Sequence, residues 1–335
     1  MARFTPPFCP LATCPSRTDG KPFTWHRKGT YPRKCDGRRI QRFRCTVCGH
    51  RFSAQSFRLD YRLHRPALTR PVLDLLVSKT THRQTARVLG CDRKTVEHRL
   101  RLLGRHCRAF HRRMLARCPG LAGTFQFDEL ETFETDRRLM PVTVPVLIER
   151  HSYFVVDLKT APMGARGCRT EALRRKKAEY ERKYGKRRNG SREAVRRTLT
   201  TLDRHLAPGA KAHLQTDLKK TYRGLIRGVF GPRYGSHAQE SSRRKRNYSN
   251  LLFPINHTLA MLRDGVSRLV RRSWGAAKKR VRLEDHLWVW LAWRNYVRPI
   301  TNEAPRVTPA MALGVAGRKY RRAEMLRWRY ADWPN

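Results

Sequence analysis

The sequence predicts a multi-domain α+β chain: a small metal-held domain, then a helical domain, then a larger α/β domain. Three observations predict it. Two close cysteine pairs open the chain, a stretch with apolar residues at helical spacing and good capping residues follows, and alternating and β-branched runs begin near Leu121. The boundaries are set at residues 1–57, 58–120 and 121–300, with a basic helical insert over about 165–206 and a loosely ordered tail over 301–335.

Composition limits the partners. Lys and Arg number 74 against 26 Asp and Glu, a formal charge of +48. That exceeds what solubility requires and implies a polyanion. No run of about 18 apolar residues exists to span a bilayer, and the opening Met1-Ala-Arg-Phe-Thr-Pro-Pro7 lacks the apolar stretch of an export signal. No membrane partner and a cytoplasmic, nucleoid-associated location are therefore expected. The nine cysteines then point to metal ligation and free thiols rather than disulfides.

In the first domain, Cys9 and Cys14 form one pair and Cys45 and Cys48 the other, about thirty residues later. Four thiolates in two short knuckles suit tetrahedral structural Zn²⁺. Gly49 permits the tight turn that aims amides at sulfur, and Phe43 and Phe52 are placed to cover a small core that the metal helps to fold. The first spacer is wide, so Cys35 or His26 is an alternative ligand. Cys91, Cys107, Cys118 and Cys168 have no close partner in sequence and read as ordinary thiols.

In the second domain, a basic linker near Arg58–Arg70 leads into a helix with Val72, Leu75 and Leu76 on one face and Pro71 near its start. Thr81 caps a second helix that ends at Gly90, and Asp92 caps a third, Asp92–Cys107, with Val96, Leu100 and Leu103 inward. Ala86, Gly90 and Val96 supply the small residue, turn and core aliphatic of a helix-turn-helix. Arg93, Lys94, Thr95 and His98 would then face the major groove of double-stranded DNA.

In the third domain, strands are expected over Gly123–Phe133, Met140–Ile148 and Ser152–Leu158. A helix-favouring polar stretch, Thr170–Leu206, precedes a fourth strand, Ala212–Thr216. A helix over Leu218–Val229, a fifth strand around Tyr234–Ala238 and a long helix from about Ile255 to Ser273 complete the order. Leu283–Arg298, with Leu287, Trp288, Leu291 and Trp293, reads as a helix covering the sheet. Asp128 and Asp217 each close a strand-like run before a polar turn. Paired acids from distant segments are what a two-metal phosphoryl-transfer site needs, and Mg²⁺ or Mn²⁺ takes such oxygen ligands. Glu129 points to the opposite face by strand alternation and reads as structural.

This order resembles a ribonuclease-H-like domain. With the zinc-ribbon knuckles, the helix-turn-helix and the Asp-Glu-Leu strand, the chain resembles an insertion-sequence transposase of the DDE superfamily from about Cys9 to Pro309. The basic segment with Arg263, Arg268, Arg271 and Arg272 is similar to the helix that carries the third acid in that family. The resemblance implies a prokaryotic enzyme that binds element terminal repeats and target DNA as a homo-oligomer and cuts and joins strands. It places the third acid at Asn256, 39 residues after Asp217. An amide oxygen can ligate Mg²⁺ but brings no charge. Glu240 is the available substitute. An active Asp-Asp-Asn enzyme, a domesticated DNA-binding regulator that has lost chemistry, and a nuclease of the same fold all remain open.

Two further runs suit phosphate. Residues 166–197 hold 14 Lys and Arg and four Glu, including Arg174, Arg175, Lys176 and Lys177. Arg243, Arg244, Lys245 and Arg246 precede the helix with Asn256. Dense like charge of this kind is best relieved by DNA.

Overall fold

The computed structural model describes residues 4–241, 243–245, 247–270 and 275–328. Arg246, Arg271 and Arg272, expected to bind DNA, lie outside the described residues. The architecture is mixed α+β with two sheets. By its contacts the chain divides into two compact units, Met1–Pro71 with Arg322–Asn335, and Val72–Arg321. No division falls near residue 120: the helices expected to form a separate domain share a unit with the larger sheet.

In the first unit a short helix α1 (Pro15–Thr18) precedes three antiparallel strands, β1 (Trp25–Pro32), β2 (Arg39–Cys45) and β3 (Arg51–Ser53). Phe43 and Phe52 sit opposite each other on β2 and β3, and their rings stack at 5.5 Å. With Phe57 and the cysteines they make the centre of a small core, against which Phe4, Phe8, Phe23 and Trp25 pack. The expected basic linker is more ordered than that. Leu63 and Leu68 are buried, and Asp60 accepts hydrogen bonds from Arg33 and Arg58, both at 2.8 Å.

Three helices follow, α2 (Thr69–Leu76), α3 (His82–Val88) and α4 (Arg93–Arg117). Thr81 caps α3 through a reciprocal box with Gln84. Gly90, at φ +55°, ends it, and the amide of Cys91 reaches back to the Ala86 carbonyl at 3.0 Å. That is the left-handed glycine stop expected from sequence. Asp92 caps α4 through the Lys94 amide at 2.6 Å. The helix does not end at Cys107. It continues to Arg117 because Phe110, Met114 and Leu115 find burial.

The larger sheet has the order β6-β5-β4-β8-β9. Its strands are β4 (Thr124–Phe133), β5 (Pro141–Glu149), β6 (Val155–Leu158), the two-residue β7 (Ala161–Pro162) beside β5, β8 (Ala212–Asp217) and β9 (Tyr234–Glu240). Consecutive strands β4, β5 and β6 are antiparallel neighbours, whereas β8 and then β9 add parallel to β4. The polar stretch resolves into two helices, α5 (Glu171–Tyr184) and α6 (Ser191–His205), and α7 (Lys220–Phe230) follows β8. α5 buries no residue, while α6 packs on β5 and on α7.

The opposite face of the sheet is covered by α8 (Phe253–Gly265) and α9 (Arg280–Tyr296). Leu130, Val142, Val144 and Val146 meet Ile255, Leu259, Leu287 and Trp288 there. α8 stops at Gly265, short of the expected Ser273. The residues after it turn toward the loop before α3, where Lys79 donates to the Gly265 carbonyl and Ser267 to the Thr80 carbonyl, at 3.2 and 3.0 Å. The tail is not loose over its described part. Helix α10 (Pro309–Ala312) buries Ala310, Tyr320 donates to the Tyr296 carbonyl at 2.9 Å, and a last short helix, α11 (Arg322–Arg327), buries Met325.

Candidate functional site

The four cysteines converge. Cys9 and Cys48 Sγ lie 3.7 Å apart, Cys14 and Cys45 Sγ 3.8 Å, and all four sulfurs are within 4.8 Å of one another. Tetrahedral Zn–S bonds of about 2.3 Å put sulfurs roughly 3.8 Å apart, so the thiols fit the metal. Gly49, at φ +73°, closes the second knuckle, its amide donating to the Cys45 carbonyl at 3.0 Å. Burial pushes the Cys9 thiol up. Such crowded thiols ionise together only around a cation, and the cluster can therefore hold a structural metal such as zinc. Cys35 and His26 are exposed and take no part in it.

Asp128 and Asp217 lie at matching heights. The parallel ladder of β4 and β8 pairs Gln126 with Gln215 and Phe127 with Thr216, and the acids are the next residue on each strand. Neighbouring strands are about 4.8 Å apart. Strand alternation fixes the face. Gln126 donates to Gln215 Oε1 at 2.8 Å and to the Leu251 carbonyl at 2.6 Å, and it accepts from the Ile255 amide at 2.9 Å. The glutamines thus tie both strands to the start of α8. Two residues on, Asp128 and Asp217 share that side of the sheet, half-buried. The repeated Gln-x-Asp of Gln126-Phe-Asp128 and Gln215-Thr-Asp217 was the readable signal for this pairing. Asn256 lies in the first turn of α8, half-buried, its amide donating to the Leu252 carbonyl at 3.0 Å.

Glu240 pairs with Asp217 across β8 and β9 and shares the face. Its carboxylate is engaged by Arg244 at 2.8 Å. Among the described residues the four cysteines are the one group of three or more His, Cys, Asp or Glu side chains that closes within 4.8 Å, so Glu240 does not close around a point with the two aspartates. Two carboxylates side by side still suit a hard divalent cation, with one neutral or water ligand to complete the set.

Behind Asp128, on the other face, Glu129 ties four elements together. It accepts from Thr143 of β5 at 2.8 Å, Ser191 of α6 at 2.7 Å and Tyr222 of α7 at 2.7 Å, and it pairs with Lys219. Burial alone would raise its pKa, but Lys219, Ser191 and Tyr222 hold it below the ordinary carboxylate value. Burial, and then the nearby charge of Glu129, Asp128 and Asp217, push the Tyr222 phenol far up. Lys219 stands two residues after Asp217, so Glu129 fixes the turn that carries the second acid. Sequence alternation had given its face but not these partners.

The expected DNA-binding cations divide. Arg93, Lys94 and His98 are exposed on the first turns of α4, with Thr95 half-buried. On α5, Arg174, Arg175 and Lys176 are exposed and Lys177 half-buried. Arg175 pairs with Glu171, Lys176 with Asp136 at 2.8 Å and Lys177 with Glu181 at 3.8 Å. Arg243, Arg244 and Lys245 are exposed, and Arg244 pairs with Glu240 at the end of β9. Two of the expected cations are less open to solvent. Arg263 is half-buried with its Nε out of water. Arg268 turns to His82, at 3.2 Å, and burial lowers its pKa to about 10. Arg268 is thus engaged within the fold.

No known family profile matches the chain, and no curated protein shows detectable similarity to it. Among the described residues no helix is long and apolar enough to cross a membrane.

Proposed function

We propose that the chain is an insertion-sequence transposase of the DDE type, which binds the ends of its element and cuts and joins DNA strands by metal-dependent phosphoryl transfer. The observation that carries this reading is the height of Asp128 and Asp217 on adjacent parallel strands, on the side of the sheet that Gln126 ties to the start of α8. The strand order, with only β5 reversed among the main strands, supports reading this domain as ribonuclease-H-like. The thiol-held sheet, the capped helices and the +48 charge fit the same reading.

In this reading Asp128 and Asp217 hold Mg²⁺ or Mn²⁺, and the Asn256 amide oxygen offers a dipole where the family has a carboxylate. Such a metal, when bound, stabilises charge on the phosphate and lowers the pKa of the attacking hydroxyl. The chain's part is placement. Glu129 and Lys219 fix the turn after Asp217, and the paired glutamines hold both acids level. Arg93, Lys94 and His98 read the major groove, while α5 and Arg243, Arg244 and Lys245 take phosphate. A homo-oligomer on DNA in a prokaryotic nucleoid is the setting.

A non-catalytic DNA-binding regulator is the second reading. The neutral Asn256 and the engagement of Glu240 with Arg244 favour it, because among the described residues no third carboxylate closes on the pair. A strand-transfer assay on duplexes carrying the repeats that flank the gene separates the readings. The proposal expects metal-dependent cleavage and joining, lost in Asp128→Asn and Asp217→Asn, with tighter metal dependence in Asn256→Glu. Cleavage without joining would indicate a nuclease. Binding without cleavage in Mg²⁺ or Mn²⁺, unchanged by Asp128→Asn, would overturn the enzymatic reading.

A further inference from the structure

The loop between β9 and α8 leaves a tyrosine standing in water. Tyr248 is 89% exposed, yet its ring centroid lies 4.5 Å from that of Phe253. One helical turn on, His257 stacks over Phe253 at 5.9 Å with the planes 20° apart. His257 then meets the edge of Tyr153 at 5.7 Å. Four rings from three segments form one continuous row. Aromatic rows usually belong to a core, but here Tyr248 and His257 are exposed and Phe253 and Tyr153 are half-buried. Apolar burial does not account for them.

The surroundings are cationic. Arg243, Arg244 and Lys245 are exposed a few residues before Tyr248, and Arg298 is exposed two residues past the end of α9. The row also has a definite address. Phe253 and His257 flank Asn256 on α8, whose start is tied by Gln126 to the strand bearing Asp128. Stacking faces lined by arginine and lysine are how proteins hold unpaired bases without reading their sequence.

We propose that Tyr248, Phe253 and His257 form a platform on which unpaired bases of a single DNA strand stack beside the acid pair. The inference rests on the strand-cutting reading for the identity of the polymer. It adds that the strand arrives at the acids locally unpaired, with its phosphates on Arg243, Arg244 and Lys245 and its bases on the rings.

The test uses the full chain without divalent metal, and oligonucleotides containing 2-aminopurine as a fluorescent base. The wild-type protein should quench the probe in a single strand. Tyr248→Ala keeps every charge and removes an exposed ring, so the fold should stand, which circular dichroism checks. It should weaken single-strand binding about tenfold or more while leaving duplex affinity unchanged. Tyr248→Trp should restore binding, and Phe253→Leu should reproduce the loss. Unchanged quenching and affinity in Tyr248→Ala would overturn the platform, as would an equal loss for single strand and duplex. A selective loss in a protein that never cuts DNA would uphold the platform and sink the strand-cutting reading. Metal-dependent cutting without a selective loss would sink the platform alone.

Discussion

Lowering the pH from 7.5 to 5 should strip several kcal/mol from the stability of the larger unit, through two histidines buried without charge. His111 accepts from the Tyr296 hydroxyl at Nδ1, 2.9 Å, and donates from Nε2 to the Val156 carbonyl, 3.0 Å. His286 donates from Nε2 to the Leu76 carbonyl at 2.9 Å, and its buried Nδ1 has no partner. Burial lowers both pKa values from 6.5 to about 4. The unfolded chain therefore binds protons near 6.5 and the folded chain only near 4. Stability is complete above the unfolded value and is lost as pH falls through that window. At pH 5 the loss is about 2 kcal/mol per imidazole, or about 4 kcal/mol for the pair. His82, lowered to about 3 by burial and Arg268, adds in the same direction. Urea titrations at the two pH values, followed by the fluorescence of Trp288 and Trp290, read the effect. His111→Gln keeps an amide donor and does not titrate. It should lower stability overall yet remove about 2 kcal/mol of the pH dependence, and His286→Gln likewise. Comparing variant with wild type cancels the pH dependence of the cysteine site, which both share. An unchanged pH dependence in both variants, or imidazole resonances that titrate near the unperturbed value, would refute the argument.

Three further outcomes are expected. Chelation, or Cys45→Ser with Cys48→Ser, should release about one equivalent of zinc and expose the segment before Asp60 to protease; purified protein without zinc would contradict this. Gly104→Ala should destabilise by about 1–3 kcal/mol despite its better helix propensity, because a Cβ there would lie 2.7 Å from the Asp285 Cα where α4 crosses α9. A variant as stable as wild type in urea would show that the helices are free to separate. Duplex affinity should fall about 10³-fold or more between 50 and 200 mM salt if six or more cations engage phosphate, and removing Arg174, Arg175 and Lys176 should flatten the slope by about one per cation. An unflattened slope would take α5 off the DNA.

What the sequence determined by itself is whatever short-range chemistry encodes. Paired cysteines made a knuckle legible because ligand spacing is local. Thr81, Gly90 and Asp92 marked helix ends because a cap satisfies amides and carbonyls within a few residues. Alternation set Asp128 and Glu129 on opposite faces of β4, since the strand period is two. Tertiary structure decided where a remote partner stops or extends an element. α4 runs on to Arg117 because Phe110, His111 and Met114 find partners such as Tyr296 and Tyr320, far along the chain. α8 ends at Gly265 where the loop before α3 takes its carbonyl. Arg268 looked like one more surface cation, and only packing shows it turned inward to His82. The level placement of Asp128 and Asp217 falls between the two cases. Each Gln-x-Asp is written locally, but the parallel register that brings the glutamines together, and the acids with them, exists only once β8 has crossed over to lie beside β4.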